Sequence, residues 1–163
     1  MVGMLKVLIS LAMAIQVLIS PVEPPEIWAT PIPLFSQKHS SDYLLPVSEY
    51  GAGHRGIDLF VETNQELTAP FDSVVSFVGE VVDRKLITLL SMTGYKASFE
   101  PVCSSLTVGD FVEEGEVFGW QCDGDDEYEE HCQNCVHFSV RNEYGYLNPL
   151  LFVGRLWPSV LIS

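Results

Sequence analysis

Three residues of this sequence have the types and spacing to hold a metal ion. The stretch GAGHRGID, residues 51–58, sets His54 and Asp58 in an H-x-x-x-D arrangement among glycines. Far along the chain, CQNCVHFSVR (132–141) supplies His137 inside an apolar run. A lone histidine in a strand is usually structural, and a polar turn before a strand often carries an aspartate. Together, two imidazoles and one carboxylate form a donor set that leaves a fourth position open. That is the pattern of a catalytic zinc site, because a structural site fills all four positions. Zinc in such a site acidifies water toward neutrality and polarises a carbonyl.

The surrounding elements have to bring these residues together. After the N-terminal segment no long helical periodicity is present. Instead, short runs rich in Val, Ile, Phe and Tyr alternate with Gly, Asp and Asn: GIDLFVE, SVVSFVGEVV, KLITLLSM, YKASFEPV, DFVEEGEVFGWQC and CVHFSVRNE. This predicts an all-β fold of many short strands. By the two-residue period of a strand, His137 and Ser139 share one face, and Val136, Phe138 and Val140 the other. Ile57, Leu59 and Val61 alternate in the same way around Asp58. NPLLFVGRL is expected to pack a short turn onto the sheet.

The chain has 163 residues, 47% of them apolar, and a formal charge of −14 with only 8 Lys+Arg. That balance argues against nucleic acid as a partner, since phosphate binding needs basic surface. The acidic run DGDDEYEEH (123–131) reads as a solvated loop, with a weak cation site as the sharper reading. Residues 1–20, MVGMLKVLISLAMAIQVLIS, read as a signal peptide or N-terminal anchor, shorter than a comfortable membrane span. An uncleaved leader would be the sole membrane contact. Residues 21–48 read as a Pro/Ser-rich linker, 49–155 as the β core domain and 156–163 as a tail. Export makes the four cysteines candidate disulfide partners. CQNC lacks the context of a redox pair and the second half of a zinc knuckle. The favoured pairing is Cys132 with Cys135 and Cys103 with Cys122.

LTAPFDSVVSFVGE and LTVGDFVEEGEVFGW place Ala-Pro, Gly-Asp and Gly at sharp corners between strands. This grammar resembles rolled antiparallel sheets of the duplicated hybrid motif or barrel-sandwich type. With GHRGIDL and VHFSVR…LNPLLF in order, the chain resembles the lysostaphin-type zinc metallopeptidases, which cut peptide cross-links in bacterial peptidoglycan. The resemblance runs from about Tyr50 to Phe152. It implies that His54, Asp58 and His137 hold zinc, and that the chain works outside the cell or in the envelope on peptidoglycan peptides.

The chain also departs from that family. Cys135 stands where the family's H-x-H strand has its first histidine. SFEPV puts Pro101 where a second auxiliary histidine is usual. His39 and His131 lie at neither position. Glu100 is the best candidate for a replacement base, although alternation would turn it away from the face used by residue 101. The losses open a second reading: a catalytically degenerate member that binds wall peptides or regulates a partner hydrolase. A lipoyl- or biotin-type carrier would need a lysine at a hairpin tip, and Lys85 lacks the flanking pattern. A cytoplasmic phosphotransferase domain conflicts with the leader.

Overall fold

A computed structural model describes residues 26–32, 39–48, 51–82, 84–122 and 134–154. The expected leader, the acidic run and the C-terminal tail lie outside these residues. The described chain forms strands β1 (His39–Ser41), β2 (Gly56–Phe60), β3 (Glu66–Thr68), β4 (Ser73–Val81), β5 (Arg84–Ser91) and β6 (Lys96–Glu100). These are followed by β7 (Val102–Cys103), β8 (Phe111–Val112), β9 (Val117–Gln121), β10 (Cys135–Asn142), β11 (Gly145–Leu147) and a 3-10 turn, Pro149–Leu151. The fold is all-β and antiparallel, as the alternating runs predict.

The large sheet has the order β1-β2-β10-β6-β5-β4-β8, with β11 continuing beside β10. The small sheet has the order β3-β9-β7. β10 is central to the large sheet. Its first half pairs with β2, its last residues pair with β11, and β6 runs along its other side. The apolar side chains of these strands face inward: Ile57, Ile87, Ala97, Phe99, Val136, Phe138 and Val140 are all fully buried. Phe99 stacks on Phe138 with ring centroids 4.8 Å apart and also meets Phe118 of β9 at 4.8 Å, which joins the two sheets into one core. Each such ring removes a large apolar area from water, so this contact is a main source of stability.

Part of the stretch expected as a linker is built into the domain. Trp28 is 4% exposed and packs on Phe71 and Phe152, each 4.2 Å away by ring centroid. Its backbone N–H donates to the Phe152 carbonyl. β1 pairs with β2, and Leu44 exchanges both backbone hydrogen bonds with His54. The prolines around Trp28 hide this packing from a periodicity reading, because they rule out a regular element while leaving an extended, core-covering segment possible.

Four further details fit the sequence. Cys103 and Cys122 form a disulfide with Cα atoms 5.6 Å apart, tying β7 to the end of β9. Asn148 caps the 3-10 turn, accepting from the Leu150 N–H at 3.0 Å, and Pro149 fills the first turn position. Leu150 and Phe152 are buried, so NPLLF does close onto the sheet. Pro101 separates β6 from β7, as a residue without an N–H must interrupt a ladder.

Candidate metal centre

β2 and β10 run side by side with Asp58 directly opposite His137. Alternation puts Ile57, Leu59, Val136 and Phe138 into the core, so Asp58 and His137 emerge together on the opposite face. His54 reaches the same point from the loop before β2, held by its backbone pair with Leu44. Two glycines make this approach possible. A Cβ on Gly56 would strike the Phe138 carbonyl and the His137 ring, and one on Gly53 would come within 2.7 Å of the Leu44 carbonyl.

The three side chains converge. His54 Nε2 lies 3.1 Å from Asp58 Oδ1 and 3.1 Å from His137 Nδ1, and His137 Nδ1 lies 2.8 Å from Asp58 Oδ1. The carboxylate is 2% exposed, the two imidazoles 13% and 18%. The other ring nitrogen of His54, Nδ1, donates to the Asp42 carbonyl at 2.8 Å. That bond fixes the tautomer of a neutral ring and leaves Nε2 with a lone pair. In that neutral form, even with a proton on His137 Nδ1, the contact between His54 Nε2 and Asp58 Oδ1 sets lone pair against lone pair. A shared cation turns all three contacts favourable, so the donor set fits a divalent metal with nitrogen and oxygen preferences. Among the described residues this is the one group of His, Cys, Asp or Glu with such convergence.

His54 and His137 line a groove of about 390 Å³. Register extends the polar face across the sheet: Glu100 is opposite His137, Ser98 opposite Ser139, and Lys96 opposite Arg141. Glu100 therefore stands on the face of His137 and lines the groove, which corrects the expectation that it turns away. Alternation itself holds. The parity that faces the groove includes residue 100, and Pro101 lies beyond the strand end. Glu100 Oε1 accepts from Arg84 Nη1 at 3.1 Å.

Cys135 opens β10, is 6% exposed and is disulfide-bonded. Its partner lies outside the described residues, as do Cys132 and His131. A disulfide sulfur offers neither thiolate nor acid–base chemistry, so Cys135 does not replace the histidine of the family motif. His39 falls in β1.

Several groove residues carry no sequence signal of their own. Arg84, Arg141 and Tyr146 line it. Arg141 is within reach of the alternation argument, being four residues beyond His137 on the same strand face. Tyr146 lies under the Arg55 guanidinium, 5.9 Å from ring centroid to Cζ, and its carbonyl accepts from the Tyr43 hydroxyl at 2.9 Å. Burial pushes the Tyr43 phenol above its usual pKa, so it remains a donor throughout the neutral range.

Comparisons with known proteins agree with this fold. The family model of Peptidase family M23 matches residues 52–149. The catalytic domain of lysostaphin from Staphylococcus simulans superposes with a TM-score of 0.60 at 19% identity, covering 72% of this chain and 92% of that one. A zinc-containing peptidase from Vibrio cholerae gives 0.61 at 14% identity, over 76% of this chain and 39% of the other. A chain of the SpoIIQ–SpoIIIAH pore-forming complex gives 0.65 at 19% identity, over 80% and 92%. At these identities the structural likeness speaks for the fold alone. The uncharacterized protein Rv2891 of Mycobacterium tuberculosis is 33% identical over 70 residues, 43% of this chain; the chain spans only 28% of the length of that relative. With the family match covering well over half of its residues and including His54, Asp58 and His137, the chain belongs to Peptidase family M23.

Proposed function

We propose that this protein is an exported zinc endopeptidase that hydrolyses peptide bonds in bacterial peptidoglycan, with His54, Asp58 and His137 as the metal ligands. One observation carries the reading: three ligand atoms face one another within 3.1 Å, with His54 Nδ1 turned to the Asp42 carbonyl and Nε2 toward the other two. A zinc ion held there would supply a Lewis acid for the scissile carbonyl and lower the pKa of water. The chain's own groups do the rest. Asp42 holds His54 in register through its carbonyl. Glu100, across the ladder from His137, takes a proton from the attacking water on its carboxylate and passes it to the departing amine. Arg84 orients that carboxylate. The groove holds the peptide in extended form along the polar face of β10 and β6.

The test is digestion of purified peptidoglycan by the full chain with zinc, followed by mass spectrometry of released peptides. The expected result is cross-link fragments from the native protein, none from His54→Ala, and release slowed by roughly 10²–10⁴-fold in Glu100→Gln, the usual contribution of a positioned base. Absence of release by a folded, zinc-loaded protein would sink the enzymatic reading. A second reading has its own observation. Cys135 is locked in a disulfide where the family carries a histidine. This favours a degenerate member that binds wall peptide or a partner protein, in the way that the similar SpoIIQ–SpoIIIAH chain belongs to a pore-forming complex.

A further inference from the structure

The groove walls are cationic on a protein that is not. The chain carries 22 Asp+Glu against 8 Lys+Arg. Yet three of its four arginines, Arg55, Arg84 and Arg141, line this one groove, and Glu100 is the single carboxylate among the lining residues. Arg84 is engaged by Glu100, and Arg55 lies over Tyr146. Arg141 differs. It is exposed, on the same strand face as His137 and Ser139, and among the described residues no carboxylate pairs with it or with Lys96. Moreover Lys96 is its direct cross-strand partner. Like charges placed opposite one another destabilise a ladder. An anion between them reverses the sign of that contact.

We infer that Arg141, with Lys96, forms a subsite that reads a free carboxylate on the bound peptide, making acidic stem peptides the preferred ligand class. The inference rests on the peptide-groove reading above. Four residues of strand separate Arg141 from His137, roughly 13 Å. An extended peptide spans that distance in about four residues. The carboxylate read is therefore remote from the bond at the metal triad, on a side chain or at the peptide terminus. Arginine suits the task because its planar fork matches a carboxylate in two parallel hydrogen bonds. The concentration of positive charge also draws an acidic ligand into the groove against the field of a strongly negative protein.

The experiment is a calorimetric titration of the zinc-supplied full chain with soluble peptide stems released from purified peptidoglycan. The stems are used as they are and after conversion of their carboxyl groups to amides. The native protein should bind the free acid about three- to tenfold tighter than the amide, the range of an exposed charge-assisted contact. Arg141→Gln should erase that preference, Arg141→Lys should keep part of it, and Lys96→Gln should weaken it. Equal binding of both stems by the native protein, no binding of either, or equal weakening of both by Arg141→Gln would overturn the subsite. Zinc uptake is measured on the same samples. A chain that takes up no zinc but keeps the acid preference fails as a peptidase and keeps the subsite. One that takes up zinc without the preference loses the subsite and leaves the peptidase reading to the digestion.

Discussion

On one face of the large sheet, Ile57, Ile87, Leu89, Phe99, Val136 and Phe138 are wholly buried. On the other face of the same strands stand Asp58, Thr88, Ser98, Glu100, His137 and Ser139, held by side-chain contacts such as Thr88 Oγ1 to Ser98 Oγ at 2.9 Å. The backbone is common to both. What differs is the solvent each face was built to exclude. The inner face works by area removed from water, and no single residue there carries chemistry. The outer face works by a few polar atoms in fixed positions; Asp58, Thr88 and Ser139 are buried there, but they take little apolar area out of water. Stability and chemistry are thus written on alternate residues of β2, β6 and β10.

That division can be tested by substituting one residue from each face. Phe138→Ala removes a fully buried ring that stacks on Phe99. It should cost about 3–5 kcal/mol of folding stability, read by denaturant unfolding. Asp58→Ala, one ladder position away on β2, should act on the metal instead. Zinc at a hundredfold over its dissociation constant should stabilise the native protein by about 2.7 kcal/mol, and this increment should vanish in the variant. If zinc still raised the melting temperature of Asp58→Ala, the two faces would not be divided as described. Gly56→Ala touches both faces at once, because its Cβ would press on the Phe138 carbonyl and the His137 ring. It should lose about 1–3 kcal/mol of stability and weaken zinc binding together. Tyr43→Phe is the mildest. It removes the hydrogen bond to the Tyr146 carbonyl and should cost about 1 kcal/mol, with zinc affinity intact.

Much of this is legible in the sequence because alternation is a local property. The runs around Ile57, Val75, Leu89, Phe99 and Val140 each declare their strand, and the grouping of His54, Asp58 and His137 follows from residue types. Tertiary effects account for the rest. β1, β3 and β11 are three residues each, too short to show a period. Trp28 joins the core from a proline-rich stretch with no regular element. The orientation of Glu100 depends on which parity of β6 meets β10, and only the ladder register decides that. The Asp42 carbonyl that fixes His54 is a backbone atom, for which side-chain identity gives no signal. The Cys103–Cys122 pairing is one of three possibilities until the folded sheets bring the two sulfurs together.

The large sheet ends on β1 and β8, of three and two residues, and the small sheet on β3 and β7, again three and two. A strand of two or three residues offers an incoming chain almost no row of free amides and carbonyls to pair with, and such short edges are a known defence against strand-to-strand association. β4 is the exception: beyond Val74 its outer side has no partner strand among the described residues, and Phe77 and Val81 are exposed there. Strand-to-strand growth in concentrated protein should therefore start on this stretch of β4, not at the short edges.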